Sequence, residues 1–215
     1  MRLLIMGAPG AGKGTQAALI KDAYNISHIS TGDMFRKAIK EQTATGIEAK
    51  KFIDKGQLVP DYVTNNLVRE RLAEADCAKG FLLDGYPRNV EQAVELDKIL
   101  AELNIKLDAV INITVDDKIL IDRITGRRTC TKCGASYHVV ANKPKQEGIC
   151  DVCGSELIQR ADDTEETIKS RLEVYYGKTE PVLSHYEKQG LVKNVYGMAS
   201  IDEIFANIKK VLGEF

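Results

Sequence analysis

The chain has 215 residues, 44% of them hydrophobic and 28% charged, with a formal net charge of −1. It is long enough to bury a full core, as one domain with insertions or as two small ones, and its balanced charge gives no global reason to expect nucleic acid or an anionic membrane as partner. No apolar window of about 18 residues could span a bilayer, and the N-terminal apolar run is too short for a signal-peptide core, so a soluble, cytoplasmic protein is expected.

Taken in chain order, a strand is predicted over 2–6, where Leu3, Leu4, Ile5 and Met6 form a short unbroken apolar run, the pattern of a strand buried on both faces of a parallel sheet. A helix is predicted over 13–23 and a short strand over 26–29. Helices follow near 33–41, 46–55 and 61–74, then a strand at 81–84 (FLLD), a helix at 89–102, a strand at 109–115 and a helix at 116–125. Helices near 163–187 and 200–213 bracket a last strand at 191–195. Strands alternating with helices read as a parallel α/β sheet. Two stretches break the alternation: 30–59, with short helices and no strand, and 126–163, rich in cysteine and turn residues. Both read as insertions on a core made of 1–29, 60–125 and 164–215.

The first strand runs into Gly7-Ala8-Pro9-Gly10-Ala11-Gly12-Lys13-Gly14-Thr15. Glycines there let the backbone bend tightly and aim several N–H groups at one anion, Lys13 adds a point charge, and the following helix presents its positive end. A glycine-rich turn after a strand is often no more than a tight turn. Lysine in register and the helix behind it favour a phosphate cradle, although Gly14 stands where the general phosphate-loop pattern has Ser or Thr and Thr15 comes one residue late.

The strand 81–84 ends in Asp84, at the carboxyl end of the strands where ligands sit in open α/β folds, and a carboxylate there suits a direct or water-mediated role at Mg²⁺. The bland alternative is that Asp84-Gly85 is ordinary turn chemistry, and Arg88 close behind it favours the site. In the first insertion, Asp33 could cap the helix that carries Arg36. Arg123 and Arg127 are four apart and could share one helix face, and Arg160 and Arg171 border the second insertion. Planar guanidinium forks of this kind bind phosphoryl oxygens bidentately.

Cys130-x₂-Cys133 and Cys150-x₂-Cys153 are separated by 16 residues, and Gly134 and Gly154 follow the second cysteine of each pair. Two such knuckles match tetrahedral Zn²⁺ ligation by four thiolates. Disulfides are the alternative, disfavoured in a chain expected to stay reduced. Cys77 and the three histidines, His28, His138 and His185, fall outside these motifs and read as structural.

These motifs, in order, resemble the adenylate kinases among the nucleoside monophosphate kinases, in their zinc-bearing long-lid form. The phosphate loop is the family's variant. Asp84-Gly85-Tyr86-Pro87-Arg88 is similar to its Asp-Gly-Phe-Pro-Arg signature, with Tyr86 in the Phe place, and Arg160, Asp162, Asp163 and Arg171 match the stretch after the lid. The resemblance implies transfer of the terminal phosphoryl group from MgATP to AMP, giving two ADP, with Mg²⁺ as cofactor and a structural Zn²⁺ in the lid. It implies catalytic roles for Lys13, Asp84, Arg88, Arg123, Arg160 and Arg171. ATP would meet Gly10, Ala11, Gly12, Lys13, Gly14, Thr15, Arg127, Ser136, Tyr137 and Met198. AMP would meet Thr31, Arg36, Gln57, Leu58, Val59, Gly85, Tyr86, Pro87, Arg88, Gln92, Arg160 and Arg171. The expected partners are these nucleotides alone, with no nucleic acid and no membrane, acting on a monomer.

Two other readings stay open at this point. One is a phosphotransferase of the same fold with UMP or CMP as acceptor. The other is a non-enzyme in which a zinc ribbon reads nucleic acid, since residues 127–160 hold six Lys or Arg against three acids.

Overall fold

The computed structural model describes residues 1–213, so the last two residues of the expected core segment 164–215 lie outside the described residues. Five parallel strands form the central sheet: β1 (Arg2–Met6), β2 (Ser27–Ser30), β3 (Phe81–Asp84), β4 (Ala109–Thr114) and β8 (Val192–Tyr196), in the order β2-β3-β1-β4-β8. Successive side chains on a strand face opposite ways, so the apolar run of β1 serves two cores. Leu3 and Ile5 pack with Ala17 and Ile20 of α1 (Lys13–Tyr24) and Ile204 and Ile208 of α9 (Ile201–Leu212). Leu4 and Met6 pack on the other face with Val68 of α4 (Asp61–Leu72), Leu96 and Ile99 of α5 (Val90–Glu102) and Val182 and Tyr186 of α8 (Pro181–Glu187). Each fully buried side chain of this size stabilises the fold by about 1.5–3 kcal/mol, which is why the sheet holds its strand ends in place.

Between β2 and α4 lie α2 (Thr31–Lys40) and α3 (Ala44–Ile53). Phe35, Ala49 and Val59 form their small core, with Val63 and Leu67 of α4 packed against it. The cap of α2 differs from expectation: Ser30 is the N-cap, its Oγ accepting the Asp33 N–H at 3.3 Å, and Asp33 sits one turn in. Serine directly before the first helical residue holds the position, leaving the Asp33 carboxylate free to pair with Arg36.

Between α6 (Leu120–Thr125) and α7 (Glu165–Val174), the stretch read as turn-rich folds into a second, antiparallel sheet of β5 (Arg127–Cys130), β6 (Ser136–His138) and β7 (Leu157–Ile158), in the order β6-β5-β7. Strands of two to four residues offer too little periodicity to be read from sequence. Because Gly126 ends α6 and Arg127 opens β5, the expected helix face shared by Arg123 and Arg127 does not form. The helix predicted over 116–125 begins as a 3₁₀ turn at Asp117–Ile119. That predicted over 163–187 is α7 and α8 joined through a π-turn at Tyr175–Thr179, where the Glu180 N–H reaches back to the Tyr175 carbonyl at 2.8 Å. Among the described residues no helix is long and apolar enough to cross a membrane.

Candidate active site

The loop from Gly7 to Gly12 leaves β1 and ends at the N-terminus of α1, with Gly12 as a left-handed N-cap at φ 94°. Gly7, at φ 139°, is pressed against β4: a Cβ there would lie 2.4 Å from the Ile113 carbonyl oxygen. Around Gly12 and Gly14, by contrast, a Cβ would meet no protein atom within 4 Å, so the loop mouth is open space lined by backbone, as a phosphate requires. Lys13 curls over the loop and donates to the carbonyls of Gly7 at 2.6 Å and Ala8 at 2.9 Å.

Asp84 ends β3 beside Lys13. Burial pushes its carboxyl pKa up, but the His28 ring and the Lys13 ammonium pull it further the other way, so it stands below the ordinary carboxylate range and is ionised at neutral pH. An ionised, acceptor-only carboxylate at the phosphate loop fits a divalent cation. His28, which reads as structural in the sequence, brings Nε2 to 3.6 Å from Asp84 Oδ2 through the β2-β3 pairing, a neighbourhood that no sequence spacing reveals.

Arg88, Arg127, Arg160 and Arg171 converge on the same crevice. Burial is the largest influence on Lys13, whose pKa falls to about 8, with the charges of Arg88, Arg171 and Arg127 adding to it against Asp84. Burial likewise lowers Arg88 and Arg160 to about 10. Two acids hold the array. Asp163 is 0% exposed, accepts from Arg127 through Nε at 2.9 Å and through Nη2, and lies 4.0 Å from Arg171 Nη1. Asp162 accepts from Arg171 Nη1 at 3.0 Å. Arg160 reaches across to Asp33 of the first insertion at 3.9 Å, while its buried Nε has no hydrogen-bond partner among the described residues. Arg123 stands at the other end and donates to the Gly197 carbonyl at 3.1 Å, next to the half-exposed Met198.

A second cleft opens between the first insertion and the β3 end. Thr31, Arg36, Gln57, Leu58, Val59, Gly85, Arg88, Gln92 and Arg171 line it, with Gly32, Phe35, Ile53, Gly56, Thr64 and Asp162. Thr31 Oγ1 and Arg88 Nε both donate to the Gly85 carbonyl at 2.8 Å. Tyr86 points away: its ring is buried in the core and its hydroxyl donates to Asn65. Sequence reading missed Phe35, Ile53 and Thr64, which are ordinary amphipathic-helix residues until α2, α3 and α4 fold around the cleft.

In the second sheet each cysteine pair forms a knuckle of one design. Gly134 N–H donates to the Cys130 carbonyl and Gly154 N–H to that of Cys150, with both glycines at positive φ. The four sulfurs lie within 4.8 Å of one another, with Cys130–Cys153 at 3.4 Å and Cys133–Cys150 at 3.6 Å. That is far from disulfide length and near the ~3.8 Å separation of thiolates held ~2.3 Å from a tetrahedral zinc. Ser136 lies on β6, while Tyr137 is buried with the cysteines and its hydroxyl accepts the Asp151 N–H at 2.8 Å. His138 fixes the root of this sheet: Nδ1 accepts the Val140 and Ala141 N–H groups, so Nε2 carries the proton and donates to the Asp122 carbonyl of α6.

A phosphate loop, a basic crevice and an adjoining cleft beneath a small helical insertion define a P-loop phosphotransferase with two substrates brought end to end. Comparison with known proteins narrows this. The family profile described as adenylate kinase matches residues 5–191. Proteins named adenylate kinase from Geobacillus sp. (strain WCH70) and Carboxydothermus hydrogenoformans are 57% and 58% identical, each alignment covering 99% of both chains. One from Lactococcus lactis subsp. lactis is 59% identical over 99% of this chain and 100% of its own. The chain belongs to the adenylate kinase family.

The depressed Lys13 gives a direct test. Burial lowers the Lys13 pKa to about 8 in the free protein, so part of the population lacks that proton at mildly alkaline pH, and a bound polyphosphate favours the charged form. Nucleotide binding is therefore expected to take up a fraction of a proton that grows from pH 7 to pH 8, read from calorimetry in buffers of different ionisation heat. Lys13→Arg, charged throughout, should abolish the uptake.

Proposed function

We propose that the chain catalyses reversible transfer of the terminal phosphoryl group from MgATP to AMP, giving two ADP, with the transferring group held where the phosphate loop and the second cleft meet. The observation that carries this reading is the convergence of Lys13, Arg88 and Arg171 on a crevice shared by both. The acceptor is a phosphate already anionic near neutral pH, so transfer needs no general base. What the chain must supply is in-line placement, charge neutralisation and exclusion of water as a rival acceptor.

Residues Gly10–Thr15 would hold the ATP phosphates, with Arg123, Arg127 and the Gly197-Met198 backbone along the rest of the nucleotide. Mg²⁺ supplies charge neutralisation on the polyphosphate when bound, and Asp84 is the carboxylate placed to receive it. Thr31, Arg36, the 57–59 segment, Gly85, Arg88 and Gln92 would hold AMP, and Arg160 and Arg171 would bridge the transferring group. The segments 30–59 and 126–163 act as closing covers on a core of 1–29, 60–125 and 164–215, supported by the contact of Arg160 with Asp33 across the two covers. Zinc belongs to the second cover as a structural ion, because four thiolates leave it no open position. The protein works as a cytoplasmic monomer on nucleotides alone.

A coupled assay with ATP and a panel of monophosphates tests the whole: turnover should be fastest with AMP, and preference for UMP or CMP would overturn the assignment of the acceptor. Lys13→Ala and Arg88→Ala should each lower turnover by about 10² to 10³. Arg88→Ala should also raise KM for AMP more than for ATP, whereas equal rises would contradict the division of sites.

The zinc assignment has its own readout. Among the described residues, the second sheet and its knuckles bury only Cys130, Tyr137, Cys150 and Leu157 in their small cluster, too few to fold it without help, so bound metal would contribute folding free energy. The parent chain is expected to carry one zinc, and Cys130→Ala to lose it and melt its cover at lower temperature, with activity largely kept in the cold. A zinc-free variant that melts like the parent yet is inactive at every temperature would contradict a structural role.

A further inference from the structure

Gln92 lies in the first turn of α5, lines the second cleft and is 2% exposed. Its amide is held at both ends by groups whose chemistry allows one orientation. The Arg88 backbone N–H, which can only donate, meets Oε1 at 2.8 Å. The Asp61 carboxylate, which can only accept when ionised, meets Nε2 at 2.7 Å. A flipped amide would set N–H against N–H and oxygen against carboxylate. Asp61 also accepts from Asn89 Nδ2 at 3.0 and 3.1 Å, and Asn89 in turn caps α5 by accepting the Gln92 N–H at 2.7 Å. The start of α4 thus grips the start of α5 and fixes one side chain of the cleft.

After these bonds Gln92 keeps one Nε2 hydrogen and one Oε1 lone pair. That pair matches the edge of adenine, whose N1 accepts and whose 6-amino group donates. Hypoxanthine and guanine present the reverse, an N1–H donor beside an O6 acceptor, and would need the flipped amide. We infer that Asp61 is a specificity-determining positioning residue: by orienting the Gln92 amide it makes the cleft read a 6-aminopurine monophosphate and reject the 6-oxopurines. This rests on the reading of the cleft as the AMP site.

The test compares AMP and IMP on the parent chain, Asp61→Ala, Asp61→Asn, Gln92→Ala and the double variant Asp61→Ala/Gln92→Ala, measuring KM for AMP, Ki for IMP against AMP, KM for ATP and melting temperature. Asp61→Ala is expected to raise KM for AMP about tenfold, the size of one lost hydrogen bond, and to narrow the AMP-to-IMP ratio by a similar factor, with KM for ATP unchanged. Asp61→Asn, which keeps one acceptor oxygen for Gln92, should restore most of the ratio. On a Gln92→Ala background Asp61→Ala should leave the ratio unmoved. An unchanged ratio in Asp61→Ala with a lower melting temperature would overturn the inference and leave Asp61 as a helix anchor only. A parent chain that does not phosphorylate AMP would instead overturn the assignment of the cleft itself, and this inference with it.

Discussion

Lys13, Arg88, Arg127, Arg160 and Arg171 share one poorly hydrated crevice, and the rest of the molecule is arranged to make that tolerable. Like charges gathered away from water repel and lose hydration, which is why Lys13 falls to about 8 and Arg88 and Arg160 to about 10. Asp163 and Asp162 hold the arginines by direct bonds, and Asp84 answers Lys13. A polyphosphate entering this space replaces water with fixed donors already aimed, so little reorganisation is left for the transition state.

Two contacts reach from the first insertion to elements outside it. Arg160, beyond the zinc knuckles, reaches Asp33 on the first insertion, and Ser170 of α7 donates to the Lys55 carbonyl at 3.0 Å. The first contact joins the two insertions, and the second ties the first insertion to α7. Closure over a crevice strengthens every ionic contact inside it and keeps water from competing with the acceptor. The small second sheet carries the four-cysteine cluster, and His138 pins its root to α6 through the Asp122 carbonyl.

What the sequence revealed was local chemistry. The phosphate loop, the Asp84–Arg88 turn and the paired cysteines are runs in which spacing alone sets geometry, and the central parallel sheet followed from apolar runs alternating with helical periods. Contacts that depend on tertiary partners are not legible in this way. Four-residue spacing puts Arg127 on a helix with Arg123, whereas Gly126 turns the chain into β5. Ser30 takes the cap expected of Asp33. His28 and Asp61 carry no local signal, and the match at Asp163 does not name its partner, since each acts on a residue that other elements bring to it: Asp84 from β3, Gln92 from α5 and Arg127 from β5. Of the arginines read from resemblance, Arg88, Arg127, Arg160 and Arg171 converge in the structure while Arg123 does not, and the reason the four can coexist, a fully buried aspartate, is visible only with the fold.

If Asp163 serves as counter-charge to a phosphate-binding cluster, Asp163→Asn isolates that role, because the side chain keeps its shape and loses its charge. The decisive measurement is the melting temperature of parent and variant with and without inorganic tripolyphosphate at matched ionic strength. The variant should melt lower than the parent when free, since breaking a buried pair costs about 3–5 kcal/mol. Tripolyphosphate should raise its melting temperature by more than it raises the parent's, because the anion now supplies the missing negative charge. A variant whose deficit tripolyphosphate leaves untouched would contradict the counter-charge role and make Asp163 a packing residue of the α7 entry loop.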